Sequence, residues 1–200
     1  LEGTGQIPEK EMLFKGLDKI EKSVDRARRI THQLLGYVRK HGHELTPVDI
    51  RQLTEDTVVL IKQKTQAKKV SVQWDIAPKE PMLMYTDPFQ VRQVLINLLE
   101  NAVDAVETGG QIRLSLTRKD QSVCLQVRDN GSGITPENRE KIFDPFFTTK
   151  PNVSENESGT GLGLFVVHKI MTGLSGSIHV ESEPGHGATF SICLPEWHSE

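Results

Sequence analysis

The 200-residue sequence predicts a two-layer α/β (α+β) domain with a mixed, largely antiparallel sheet, preceded by a long helix of the bundle or coiled-coil type. Three observations carry this prediction. Apolar positions recur at alternating steps of four and three from Leu13 to Val38, two pairs of alternating segments each flank a turn-forming stretch, and helical segments opened by capping residues lie between them. A hydrophobic content of 36%, with 16 glycines besides, excludes wholesale disorder. A chain of this length needs no metal or disulfide to build a core.

The elements follow in order. Leu13, Leu17, Ile20, Val24, Ala27, Thr31, Leu34 and Val38 form a heptad seam, and Ile30 with Leu35 widens it towards a bundle with several partners. Residues 39–45 read as a linker, which divides the chain into a helical region at 1–45 and a second domain at 46–200. Thr46-Pro47-Val48-Asp49 reads as a cap with Pro47 in the first helical position, opening a helix to about Lys64. Val70–Trp74 and Met82–Tyr85 read as short strands, and Asp87-Pro88 repeats the cap before a helix reaching Glu107. Gln111–Leu116 and Val123–Arg128 form one expected hairpin, and Ile178–Glu181 with Ala188–Leu194 a second. Phe165–Met171 reads as a helix between them.

The 24 Lys+Arg and 27 Asp+Glu leave a net charge of −3, which gives no reason to expect a nucleic-acid or anionic-membrane partner. Any phosphate binding must be local. The longest aliphatic run, Val58–Ile61, is far short of the ~18 residues of a membrane span. The chain opens Leu1-Glu2-Gly3 without a methionine or a signal-like segment, so it is expected to derive from a longer parent. Cys124 and Cys193 stand alone in strand-like segments and read as reduced structural thiols. The expected compartment is the cytoplasm, with membrane anchoring of the parent left open.

On the helix after Asp87, Asn97, Asn101 and Asp104 fall at i, i+4 and i+7, a polar stripe beside the apolar set Val91, Val94, Leu95, Leu98, Ala102 and Ala105. Neutral amide oxygens suit a Mg²⁺ that completes its shell with phosphates and water, whereas a solvated polar face would explain the stripe taken alone. Asp129-Asn130-Gly131-Ser132-Gly133-Ile134 ends a strand; its carboxylate could accept from an exocyclic amine, and a plain Asn-Gly turn is the simpler alternative. Gly159-Thr160-Gly161-Leu162-Gly163 precedes a helix, where backbone amides and the dipole favour phosphate, but its spacing is neither that of a P-loop nor that of a Rossmann turn. The aromatic stretch Phe143-Asp144-Pro145-Phe146-Phe147 leads through Lys150 into an aperiodic segment expected to act as a lid.

Taken in this order, the segments resemble the catalytic ATP-binding domain of sensor histidine kinases, in the superfamily that also holds type II topoisomerase, heat-shock chaperone and mismatch-repair ATPases. Asn97 to Ala102 is similar to the N box, Asp129-x-Gly131-x-Gly133 to the first glycine box, Phe143 to Phe147 to the F box, and Gly159-x-Gly161-x-Gly163 to the second glycine box. Gly185-x-Gly187-x-Thr189-Phe190 resembles the family's closing hairpin. The resemblance implies a Bergerat-type fold, ATP and Mg²⁺ as cofactors, Asn101 as the metal ligand, Asn97 assisting metal or phosphate, and Asp129 binding the adenine amino group. Gly131, Gly133, Ile134, Phe147, Lys150, Asp104, Gly159, Thr160, Gly161, Leu162, Gly163 and Thr189 are the further implied nucleotide positions, with Asn97, Asn101 and Lys150 serving catalysis. It also implies a homodimer formed through the N-terminal helix and a response-regulator receiver domain as partner.

The superfamily's hydrolases carry Glu where this chain has Asn97, so transfer is favoured over hydrolysis. The family's phosphoacceptor motif, a His followed by an acidic residue and then a Pro, has no match here. His43-Glu44-Leu45-Thr46-Pro47 has its proline one residue early, and His32 is followed by Gln33-Leu34-Leu35. Lys22 to Lys40 resembles the second helix of the dimerisation hairpin, so the acceptor helix is expected upstream of Leu1. Other functions to be weighed are a nucleotide-sensing dimerisation switch without phosphotransfer, an ATPase of the topoisomerase or chaperone kind, and a serine kinase of the anti-sigma type.

Overall fold

The computed structural model describes residues 10–21, 23–24, 45–76, 80–119, 121–150 and 159–195. Residues 10–21 and 23–24 are helical (α1), in agreement with the first part of the heptad pattern; the rest of that pattern and the 39–44 linker lie outside the described residues. The stripe Met12, Leu13, Leu17, Ile20 and Val24 is exposed along α1.

Downstream come β1 (Thr46–Asp49), α2 (Ile50–Leu60), α3 (Lys62–Ala67), β2 (Ser71–Ile76), β3 (Leu83–Thr86), α4 (Pro88–Ala105), β4 (Gln111–Lys119), β5 (Ser122–Asp129), α5 (Pro136–Arg139), α6 (Gly163–Gly173), β6 (Ser177–Ser182) and β7 (Ala188–Pro195). Five strands form one mixed sheet in the order β2-β4-β5-β7-β6, and β1 pairs with β3 in a separate two-stranded sheet. Within the five, only β2–β4 is parallel.

Two expectations are corrected here. Thr46-Pro47-Val48-Asp49 is a strand, not the opening of a helix: Pro47 pairs with Tyr85, and Val48 turns into the core opposite Met84. The cap is Asp49, whose Oδ1 accepts from Arg51 N at 3.0 Å and from Met82 N at 3.1 Å. One carboxylate thus starts α2 and joins it to the approach of β3. The second correction concerns the cysteines. Cys124 and Cys193 are direct cross-strand partners on β5 and β7, and their sulfurs are bonded. Facing residues of neighbouring antiparallel strands lie within bonding reach of one another, and the 69-residue separation hides that proximity in the sequence.

α4 is the central helix. Asp87 caps it, its Oδ1 accepting from Phe89 N at 2.9 Å and Gln90 N at 3.2 Å, and Pro88 stands where no backbone donor is needed. Its buried residues recur at helical spacing: Val91, Val94, Leu95, Leu98, Leu99, Ala102 and Val103. They meet the inward alternation of the sheet, Ile112, Leu114 and Leu116 on β4, Val123, Leu125 and Val127 on β5, and Phe190, Ile192 and Leu194 on β7. α6 adds Val166, Val167, Ile170 and Met171 beside α4. The opposite sheet face is polar and bonded across strands, with Ser115 Oγ donating to Gln126 Oε1 and Gln126 Nε2 to Ser191 Oγ, each at 3.2 Å.

Leu98 is completely buried where α4 meets the sheet. Leu98→Ala is expected to destabilise the fold by about 2–5 kcal/mol through lost transfer energy and a residual cavity. A urea titration should show the midpoint falling with an unchanged slope.

Candidate functional site

α4 carries the polar stripe on the flank facing α6. Asn97 is buried, with 5% of its surface exposed, and its Nδ2 has no hydrogen-bond partner. Gly163, the first residue of α6, stands next to it: a Cβ built there would lie 3.5 Å from Asn97 Oδ1 and 3.9 Å from Asn101 Nδ2. The helix start and both asparagines therefore converge. Since the first amides of a helix lack internal acceptors, the place is electropositive and rich in donors.

Asp104 lies further along α4 within an ion-pair cluster. Lys150 Nζ approaches its Oδ2 at 2.5 Å and Lys64 Nζ its Oδ1 at 2.9 Å, while Lys64 also reaches Glu100 at 3.8 Å. Burial pushes the Asp104 carboxyl upward, but its bonds and charge attraction to Lys150 and then Lys64 outweigh this and hold it below the ordinary carboxylate value. The Lys150 stem crosses Gly159, whose Cβ position would be 3.1 Å from Lys150 Cδ. Lys64 carries no motif signature and was not among the expected residues.

Asp129 ends β5 in the inward register with 4% exposure. Its Oδ1 accepts from Gly131 N at 2.8 Å and Ala188 N at 3.3 Å. Burial is the largest influence on this carboxyl and raises its pKa, against the lowering effect of the two amides. Gly131 is required by contact: a Cβ there would sit 2.4 Å from the carbonyl oxygen of Ala105, at the end of α4. Gly133 lies against the carbonyls of Glu183 and Gly187, and Ile134 N donates to Ser182 Oγ at 2.8 Å. Ser182 in turn donates to Gly187 O at 2.7 Å, joining the 129–134 turn to the β6–β7 hairpin.

The F-box segment and the second glycine turn meet backbone to backbone. Phe146 N donates to Gly161 O at 2.9 Å, and both residues are left-handed, with φ of +68°. A Cβ on Gly161 would lie 2.4 Å from the carbonyl carbon of Phe146, so only glycine fits. Phe147 packs half-buried against the core, whereas Phe146 is exposed. Thr160 Oγ1 accepts from Leu162 N at 3.3 Å. The segment 151–158, expected to act as a lid, is outside the described residues.

Two of the expected nucleotide residues turn their side chains away from this region. The Leu162 side chain is 1% exposed, a core position at the foot of α6. Thr189 pairs with Arg128 in the outward register, on the sheet face away from Asp129; its neighbour Ala188 is the residue that meets the carboxylate, through its backbone amide. A one-residue shift along a strand exchanges faces, which the motif spacing alone did not resolve.

Because the Asp129 pKa is raised on folding, its ionised form opposes folding, fully so above the raised value and not at all once pH falls below the ordinary carboxylate range. Asp129→Asn, whose Oδ1 can still accept from both amides, is expected to raise the melting temperature near pH 7. That gain should vanish on acidification, as scanning calorimetry across pH would show.

Comparisons with known proteins bear on the fold and family. Residues 86–198 match the family described as histidine kinase-, DNA gyrase B- and HSP90-like ATPase. The chain is 36% identical over 180 residues to the signal transduction histidine-protein kinase AtoS of Escherichia coli K12, covering 90% of this chain and 28% of that protein. It is 36% identical over 164 residues to sporulation kinase E of Bacillus subtilis 168, covering 82% of this chain and 20% of the relative. The chain thus spans well under half the length of these curated relatives. Among solved structures it resembles the nucleotide-free catalytic domain of histidine kinase ThkA, with a TM-score of 0.65, 29% identity, and coverage of 76% of this chain and 96% of that one. It also resembles ThkA in complex with the response regulator TrrA, with a TM-score of 0.73, 26% identity, and coverage of 98% and 53%. The chain therefore belongs to the histidine kinase-, DNA gyrase B- and HSP90-like ATPase family, as an ATP-binding catalytic domain of the sensor histidine kinase kind.

Proposed function

We propose that the chain holds Mg·ATP between α4, the 129–134 turn and the start of α6, and that the longer protein moves the γ-phosphoryl group to a histidine and then to an aspartate of a response-regulator receiver domain. The supporting observation is Asn97, a buried amide whose Nδ2 has no partner beside the first residue of a helix. An unmet buried donor costs roughly 1–3 kcal/mol, and a phosphate oxygen at that helix start would remove the penalty. The donor set also suits the metal. Among the described residues no group of three His, Cys, Asp or Glu side chains gathers, so Asn101, with Asn97 assisting, would hold Mg²⁺ by neutral amide oxygen together with phosphates and water. When bound, Mg²⁺ neutralises triphosphate charge.

The chain's own residues would do the rest. Asp129, held on Oδ1 by two amides, would accept from the adenine amino group through its other oxygen. The amides at the start of α6 would meet the phosphates, and Lys150 would exchange Asp104 for a phosphate oxygen. In the transfer, an imidazole nitrogen attacks the γ-phosphorus, the β–γ bridging P–O bond breaks, and ADP leaves; positioning and charge neutralisation are the protein's contributions. Asn97, having no basic group, leaves a water in the site poorly activated, in keeping with transfer over hydrolysis.

The exposed α1 stripe supports a homodimer in which that face is covered by its mate. The solved complex of ThkA with TrrA supports a receiver-domain partner. No helix among the described residues is long and apolar enough to cross a membrane, and the proposed location of the domain is the cytoplasm.

Asn101→Ala should weaken Mg·ATP binding at least about 100-fold by calorimetry, and unchanged affinity would remove Asn101 as the metal ligand. The intact longer protein given γ-labelled ATP should acquire an acid-labile, alkali-stable label. Steady phosphate release without that label would point to an ATPase instead.

A further inference from the structure

We propose that Cys124 and Cys193 form a reversible thiol–disulfide site, through which low-molecular-weight thiols and disulfides set how firmly β5 and β7 hold together along the ladder that ends at Asp129. The two residues face each other across the strand pair with Cα atoms 4.1 Å apart and sulfurs joined, and they lie 69 residues apart in the chain. Both project to the polar outer face and are only partly buried, whereas their neighbours Val123, Leu125, Ile192 and Leu194 are buried in the core. Exchange at these sulfurs therefore takes place on the outer face, away from the core side chains.

The location separates this bond from a staple on which the fold depends. The β5–β7 ladder runs in register from Ser122 opposite Pro195 to Arg128 opposite Thr189, and its inward side chains are core residues, so the pairing has its own support in either redox state. What the bond adds is a constraint on opening. The other end of the same ladder is where the Ala188 amide reaches Asp129 Oδ1 at 3.3 Å. The bonded pair and the carboxylate thus sit at opposite ends of one run of strand pairing.

The chemistry is ordinary exchange. A thiolate of the glutathione class attacks one sulfur, the Cys124–Cys193 bond breaks, a mixed disulfide forms, and the other cysteine leaves as thiolate and takes up a proton. A second thiolate then attacks the mixed disulfide, freeing the remaining cysteine and giving the oxidised small-molecule disulfide. Two electrons and two protons pass to the protein from two thiols, and the reverse sequence restores the bond.

The test equilibrates the chain in glutathione buffers from fully reduced to fully oxidised, traps thiols by alkylation, and follows mass and amide exchange. The expected result is one transition, from two labels per chain under reduction to none under oxidation. Amide exchange over residues 123–129 and 188–194 should quicken roughly tenfold on reduction. The Cys124→Ser/Cys193→Ser variant should exchange in every buffer like the reduced wild type. Two labels at every potential, no labels at any potential, or a redox transition with unchanged exchange would each overturn the proposal.

Discussion

The site depends on a carboxylate that folding must bury. Asp129 stands at the inward end of β5 with almost no contact with solvent, and burial alone would favour its neutral form. Two backbone amides, of Gly131 and Ala188, partly offset that cost on one oxygen. Each amide requires its own piece of architecture. Gly131 reaches Asp129 only because its missing Cβ lets the turn lie on the carbonyl of Ala105, and Ala188 only because β7 keeps its register beside β5. α4, the first glycine turn and the closing hairpin are thereby tied to one point, which brings motifs far apart in sequence together.

A second charge arrangement lies along α4. Asp104 gathers Lys64 and Lys150, so a carboxylate that would repel a triphosphate is matched by two ammonium groups. With Glu100 also reaching Lys64, the cluster balances locally in a chain whose net charge is only −3. The positive charge on this flank of α4 is therefore held in ion pairs rather than displayed as a basic patch.

Much of this was legible in the sequence. The spacing of Val91, Val94, Leu95 and Leu98 behind the Asp87-Pro88 cap gave α4 and its buried face, and the alternation about 123–128 and 188–194 gave both hairpins. The misreadings have a common physical origin. Thr46-Pro47-Val48-Asp49 contains a cap, but the capping side chain is Asp49, because the residues before it pair with β3 and Val48 is buried there. The parallel β2–β4 pairing, the bond between Cys124 and Cys193, and the position of Lys64 beside Asp104 join residues distant in sequence, where local periodicity carries no information. Thr189 lies a single step from Ala188, whose amide meets Asp129, and on a strand one step reverses the side faced.

The hydrogen bond from Phe146 to Gly161 brings the two ends of the intervening chain to one spot on the domain. Closure entropy grows only slowly with chain length, by about 0.6 kcal/mol per doubling, so a connection between such fixed ends can be lengthened or shortened at little cost. Relatives are thereby free to differ in the length of this connection while the clasp that joins its ends stays unchanged, and an engineer could exchange it between them as a cassette, provided Phe147, Lys150 and Gly161 are kept.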